Sequence, residues 1–216
     1  VLGVTEPYHS GIGGGCFSLY YDNKTGKTLS LEARGIAPKK AFRDMYLDKD
    51  GNVDETWEWF DGKAVAAPQL YRALERLNKE YGTMSLAELS QPAIDLARQG
   101  FTCNFLYEYA MNHPLCGHAA KHSEYFKKVY MKDGEKYHFG EKITNPDLAD
   151  TMEKVAKNGV DWFYNGDVAD KMVECVQQRD GLLTKEDLTT CTAKQRPVVR
   201  GSFMGYDIVS MSPPSS

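Results

Sequence analysis

Four groups of residues could do chemistry by type and spacing. The first is the stretch Ser10 to Ala37, SGIGGGCFSLYYDNKTGKTLSLEARGIA, which joins a glycine run to a Gly26-Lys27-Thr28 triplet and ends near Arg34. A dinucleotide fingerprint needs a third glycine where Cys16 stands and a helix where a strand follows, and a Walker loop needs glycine where Tyr21 stands, so neither phosphate motif is complete. Arg34 is different: a charge at the end of a core hairpin faces a cleft or a salt-bridge partner. The second group, Asp48 to Asp54 (DKDGNVD), has the oxygens of a calcium loop, but Gly51 falls at position four rather than six, which makes it an acidic surface turn. The third is Asn112 to His122 (NHPLCGHAAKH), where His118 and His122 share a helix face with His113 and Cys116 nearby. A zincin pair would need Glu where Ala119 stands, and Pro114 and Gly117 are expected to break a single helix, leaving solvent-facing histidines on a short helix. The fourth group is the five cysteines, Cys16, Cys103, Cys116, Cys175 and Cys191, an odd set with no C-x-x-C pair. One or two bridges are open but unassignable, and Cys16 reads as a small core hydrophobe rather than a nucleophile.

The elements that must position these residues follow from periodicity. Gly11, Gly13, Gly14 and Gly15 permit a tight bend or close approach by another segment. Cys16 to Tyr21 alternates as a buried strand, with Phe17, Leu19 and Tyr21 on one side; Asp22 to Lys27 is a turn, and Thr28 to Ala33 is the return strand. Pro38 is expected to begin a short helix with Ala41, Phe42 and Met45 inward. Pro68 opens an amphipathic helix to about Tyr81, with Leu70, Tyr71, Leu74, Leu77 and Tyr81 as its buried stripe and Gly82 as its end. Ser85 and Glu88 form a capping box for a short helix burying Leu86 and Leu89; Pro92 starts another that Gly100 closes after about Gln99. Tyr125 to Thr144 reads as a hairpin-like surface excursion around Asp133-Gly134. Helices follow from Asn145-Pro146 through Lys157 and from Val168 to Gln178, Thr184 caps a short one, and Trp162, Phe163 and Tyr164 form a core aromatic knot. Pro197 to Met211 reads as two strands around Gly201-Ser202, or as a strand, a bend and a strand. The whole, 1–216, is a single unit of mixed class, with strands in one sheet and helices outside it.

Composition narrows the function classes. Of the 216 residues, 26% are charged and the net charge is −4, so no basic surface argues for nucleic acid. Mean hydropathy is −0.51, and no apolar run approaches membrane-spanning length. Val1 reads as a cut end, which leaves any targeting segment out of view.

The order SGIGGG, hydrophobic hairpin, arginine and Ala-Pro resembles the start of the large subunit of gamma-glutamyltranspeptidases. Tyr81-Gly82-Thr83-Met84, Gln91-Pro92-Ala93, Leu96 to Phe101, Phe163 to Gly166, Gly181 to Leu188 and Ser212 to Ser216 agree in order and spacing. The resemblance implies an α+β N-terminal-nucleophile hydrolase fold, with antiparallel sheets sandwiched between helical layers, of which this chain is the large-subunit portion. It implies a precursor that cuts itself in two, and a threonine at the new N-terminus of the small subunit that attacks a gamma-glutamyl amide, its own amine serving as base. It also implies no cofactor, a small-subunit partner, a glutathione-like substrate and an extracytoplasmic location. Arg34 matches the family arginine that pairs with the substrate α-carboxylate, a role suited to a guanidinium fork; a structural ion pair is the alternative.

No catalytic residue is expected in this chain, because the threonine and the small subunit's oxyanion donors lie outside it. Gly35 stands where many relatives carry Glu, and Ala66-Ala67-Pro68-Gln69 lacks the glycines that usually flank the proline, so the exact substrate stays open, with acylases and poly-gamma-glutamate-processing enzymes on the same scaffold. Beside the transferase or hydrolase reading stand a non-catalytic relative or binding module that keeps the fold and, more weakly, a metal-dependent hydrolase using His118 and His122.

Overall fold

The computed structural model describes residues 1–53 and 61–215; Asp54, the last residue of the acidic turn, lies outside them. A single helical turn, α1 (Leu2–Thr5), leads into the glycine run. The hairpin follows as β1 (Cys16–Asp22) and β2 (Lys27–Ala33), antiparallel, pairing Cys16 with Ala33 and Asp22 with Lys27. Its turn is held by Asp22, whose carboxylate accepts from the Lys24 N–H at 2.9 Å and the Thr25 hydroxyl at 2.8 Å.

No helix follows Pro38. The segment makes turns in which Met45 is buried and Phe42 is exposed. The Lys39 N–H donates to Asp187 and Ile36 bridges Ala67, and three apolar side chains at helical spacing are too few to nucleate a helix here. The acidic turn is as expected: Asp48 Oδ1 accepts from the N–H groups of Asp50 and Asn52, and Gly51 supplies a φ of 82°.

Helix α2 (Leu70–Tyr81) lays Ala73 against Ala33 of β2 and Ala193, and these small side chains let helix and sheet approach closely. Its stripe is only partly buried: Tyr71 is inside, whereas Leu74 and Tyr81 are 39% and 41% exposed. Helix α3 (Leu86–Gln99) starts on the expected Ser85–Glu88 capping box but is continuous, with Pro92 inside it rather than opening a second helix. The interior proline removes a backbone donor; the burial of Ala93, Ile94 and Ala97 beside Ala149 and Met152 offsets that loss. Gly100, at φ 94°, ends it as expected.

A small sub-structure follows. It comprises β3 (Phe101–Thr102), α4 (Phe105–Met111), α5 (Pro114–His122), α6 (Glu124–Tyr130), β4 (Met131–Lys132), β5 (Glu135–Lys136) and β6 (Lys142–Ile143). The expected surface excursion is thus a helix first and a hairpin only at Met131–Lys136, where Asp133 and Gly134 take the positive φ of its tight turn. Tyr107, Met111, Cys103 and Ile143 make a separate small core beneath it.

Three helices then build the main core: α7 (Pro146–Asn158), α8 (Val160–Asn165) and α9 (Asp167–Gln177). The aromatic knot is central, with Phe163 and Tyr164 buried against Tyr71, Val155, Leu183 and Leu188. A short α10 (Lys185–Thr189) carries the Thr184–Asp187 capping box. The chain closes with β7 (Lys194–Arg196), β8 (Val198–Phe203) and β9 (Tyr206–Met211).

Strand order in the main sheet is β1-β2-β7, antiparallel throughout; β8 and β9 form a separate hairpin beside β1 and β2. That hairpin turns at Met204-Gly205, not at Gly201-Ser202, because φ of 48° and 82° there meets the requirement of a tight two-residue turn. The central strand β2 buries Ser30, Leu31 and Ala33. The edge strand β1 buries none of its residues, and Leu19 and Tyr21 are 46% and 59% exposed. Alternation holds as expected, but burial does not: β1 has one neighbour, and α2 covers only the face shared by Tyr20, which stacks on Tyr81. All five cysteines are free, and Cys16 is half-buried beside Ala33 rather than inside the core.

Candidate functional site

The glycine run is a clamp between the head of α2 and the end of β2. Its Gly14 N–H donates to the Gly11 carbonyl at 3.1 Å, and the Gly14 carbonyl accepts from the N–H groups of Gln69 and Leu70 at 2.9 and 3.0 Å. The N–H groups at the start of a helix lack intrahelical acceptors, and here the loop carbonyl serves those of Gln69 and Leu70. Gly15 then passes so near the end of β2 that a β-carbon on it would lie 2.3 Å from the Ala33 carbonyl oxygen and 2.8 Å from the Arg34 Cα. Only glycine permits that approach.

Arg34 is therefore fixed by its backbone. It stands one residue beyond the β1–β2 ladder, and its carbonyl accepts from Gln69 Nε2 at 2.8 Å. Just past it, Ile36 and Ala67 exchange backbone hydrogen bonds of 3.2 and 2.8 Å. Its guanidinium carbon lies over the Phe17 ring, 5.6 Å from the centroid, a cation–π contact. No carboxylate among the described residues is within 4.0 Å of it, whereas Arg72, Arg76, Arg98 and Arg196 each pair with one.

The guanidinium borders a cleft of about 770 Å³, walled by the glycine run, Tyr8, His9, Tyr125, Tyr130, Asn145, Asp147 and Met172. Asp147 is paired with Lys128 at 2.8 Å. Burial raises the phenol pKa values of Tyr8, Tyr125 and Tyr130, which leaves these rings neutral at physiological pH. A fixed cation set in a largely uncharged wall can hold an anionic group in one orientation.

The histidine segment is one helix, α5, with Pro114 in its first turn and Gly117 inside it, so neither residue breaks it. A first-turn proline loses no helical hydrogen bond. His118 and His122 stack at 4.3 Å between ring centroids, His113 Nδ1 accepts from the Leu115 N–H, and the Cys116 thiol donates to the Ala110 carbonyl. Desolvation, with His122 and Lys121 close by, lowers the His118 pKa. No set of three or more His, Cys, Asp or Glu side chains that could hold a metal occurs among the described residues.

Gln69 was not legible as a site residue. It is 2% exposed, and besides donating to Arg34 its side-chain oxygen accepts from the Thr192 N–H at 3.1 Å. The available signal was a long amide at the residue before the helix, where Ser, Thr, Asp or Asn is usual.

The chain is similar to known proteins over its whole length. The profile of the gamma-glutamyltranspeptidase family matches residues 1–216. The glutathione hydrolase proenzyme of Escherichia coli is 36% identical over 218 residues, covering 100% of this chain but 37% of that protein. The chain thus spans little more than a third of the length of that relative. The gamma-glutamyltranspeptidase structure from Helicobacter pylori superposes with a TM-score of 0.92 at 33% identity, covering 99% of this chain and 61% of that one. That from Pseudomonas nitroreducens, solved with L-DON, gives 0.89 at 32% identity, covering 99% and 62%. The expected α+β N-terminal-nucleophile hydrolase architecture is thereby established. By the profile over its length and by these superpositions, the chain belongs to the gamma-glutamyltranspeptidase family.

Proposed function

We propose that this chain is the carboxylate-binding portion of an enzyme that transfers or hydrolyses gamma-glutamyl groups, taken from glutathione-like amides. The observation that carries the reading is Arg34: a cation held by its backbone, bordering a cleft, with no carboxylate partner among the described residues. Such a group awaits an anion from elsewhere, and the α-carboxylate of a gamma-glutamyl substrate has the planar two-oxygen shape that a guanidinium grips.

The chemistry falls to a threonine at the N-terminus of a small subunit cut from the same precursor. Its hydroxyl adds to the gamma-carbonyl carbon while its own α-amine takes the proton. That proton passes to the departing amine as the C–N bond breaks, leaving a glutamyl ester. Water or an acceptor amine then attacks the ester, and the threonine hydroxyl is restored. Arg34 takes no part in bond making; it sets the register of the glutamyl group, so the reacting carbonyl meets the nucleophile in a productive pose. Among the described residues, no helix is long and apolar enough to cross a membrane. An extracytoplasmic location, where glutathione-like peptides are scavenged, belongs to the same reading.

The test uses the full-length gene product. Self-cleavage into two chains, release of product from a gamma-glutamyl anilide, and an Arg34→Ala variant that is processed but much poorer at low substrate are expected. Absence of both cleavage and activity would overturn the enzyme reading in favour of a binding module. Activity indifferent to Arg34→Ala would discard the site.

A further inference from the structure

We infer that Gln69 is a positioning residue for Arg34: its buried amide fixes the backbone from which the guanidinium projects. The inference rests on Arg34 being the carboxylate-binding residue.

Each polar end of Gln69 is used, and each use ties a different segment. Its Nε2 donates to the Arg34 carbonyl at 2.8 Å, its Oε1 accepts from the Thr192 N–H at 3.1 Å, and its main-chain N–H donates to the Gly14 carbonyl at 2.9 Å. One residue thus joins the end of β2, the segment entering β7 and the glycine run. The Arg34 carbonyl lies beyond the last paired residues of β2, Ala33 toward β1 and Glu32 toward β7, so neither neighbouring strand satisfies it. The amide of Gln69, 2% exposed, does.

Only an amide serves here. A carboxylate has no donor for the Arg34 carbonyl, and a thioether has neither a donor nor a strong acceptor. Removing the amide takes the partners from a carbonyl and an N–H that are only partly shielded, and the backbone can tilt to give them to water. Arg34 carries its charge at the end of a long side chain, which magnifies a small tilt at the peptide. The Phe17 contact restrains the guanidinium from one face only and leaves that swing open.

A positioning role differs from a merely structural one in its dependence on Arg34. The experiment measures KM and kcat on a gamma-glutamyl anilide with the full-length, self-cleaved protein. It compares the parent, Gln69→Met, Arg34→Ala and the double variant. Gln69→Met is expected to raise KM about three- to tenfold with kcat within about twofold. In the Arg34→Ala background the same change should move KM by less than about 1.5-fold, because the group it positions is gone. A parent-like KM for Gln69→Met, or an equal effect in both backgrounds, would overturn the inference while leaving Arg34 in its role. An Arg34→Ala enzyme with unchanged KM would remove the reading on which the inference stands. Should Gln69→Met fail to self-cleave, Gln69→Glu is put through the same cycle. It keeps the acceptor for Thr192 and loses the donor to Arg34, and the same two patterns decide.

Discussion

Glycine to alanine at position 15 isolates the clamp that sets Arg34. An added β-carbon would lie 2.3 Å from the Ala33 oxygen, 2.8 Å from the Arg34 Cα and 2.8 Å from the Gly35 nitrogen. All three are backbone atoms, so no side chain can rotate aside. Comfortable contact begins near ~3.5 Å, so the end of β2 must retreat by about 1 Å. Overpacking of this kind costs about 1–3 kcal/mol, and a 1 Å misplacement of a binding group can lower turnover by ~10²-fold. The alanine variant of the full-length protein should therefore melt several degrees lower. Its kcat/KM on a gamma-glutamyl anilide should fall at least about tenfold. The control is Gly117→Ala, on α5 and outside the walls of the Arg34 cleft. Nothing lies within 4 Å of a β-carbon there and its φ is not positive, so activity should stay near the parent's and the melting temperature should not fall. Parent-like kinetics in Gly15→Ala, or equal losses in both variants, would refute the claim that loop contact with the β2 terminus orients Arg34.

Three further outcomes are expected. Asp187, buried at 5% exposure, accepts from the Thr184 hydroxyl and N–H and from the Lys39 N–H. Burial alone would raise its pKa, but those hydrogen bonds outweigh it and hold the value below the ordinary one. Its stability contribution is therefore full above about pH 4 and lost as pH falls through the depressed value. Asp187→Asn, which turns an amide N–H₂ toward a donor, should cost about 1–3 kcal/mol in denaturant melts at pH 7 and flatten the acid limb of the stability profile. Met204 takes a φ of 48° in an exposed two-residue turn before Gly205, so Met204→Asn should stabilise by about 0.5–1 kcal/mol in thermal melts; a loss would refute the turn assignment. Ser85→Ala removes the capping box in which the Ser85 oxygen accepts from the Glu88 N–H at 3.2 Å and should cost about 1 kcal/mol without changing KM.

Local signals were legible wherever one segment decides its own conformation. The hairpin pairing Cys16 with Ala33, the Ser85 and Thr184 caps, the Gly100 stop and the helix after Asn145-Pro146 all stand as expected. Expectations failed where distant contacts outvote local preference, or where that preference is weak. Pro92 sits inside α3 because Ala93, Ile94 and Ala97 are locked against α7; the segment after Pro38, with three apolar residues at helical spacing, offers too little local drive to nucleate a helix. Burial of β1 was overestimated because alternation tells which residues share a face, not whether anything covers it. Residue type and the end of a strand left Arg34 either facing a cleft or in an ion pair; its substrate role was drawn from the family resemblance and is the one proposed above. Gln69 could not be found that way, since its importance lies in reaching two backbone groups 35 and 123 positions away.

The uncovered face of β1 and the exposed β8–β9 ribbon bear on how such a protein is made. Leu19, Tyr21, Phe203, Tyr206 and Ile208 all stand open to solvent, and a lone two-stranded ribbon is marginal in water. A strand edge of this kind recruits whatever extended chain arrives first, including a neighbour's. On the two-subunit reading, synthesis as one polypeptide keeps the completing segment tethered at an effective concentration in the ~mM range while the sheet forms. Cleavage then comes after assembly rather than before it. On the same reading, expressing the two pieces separately leaves the open face of β1 and the β8–β9 ribbon free to pair with other chains.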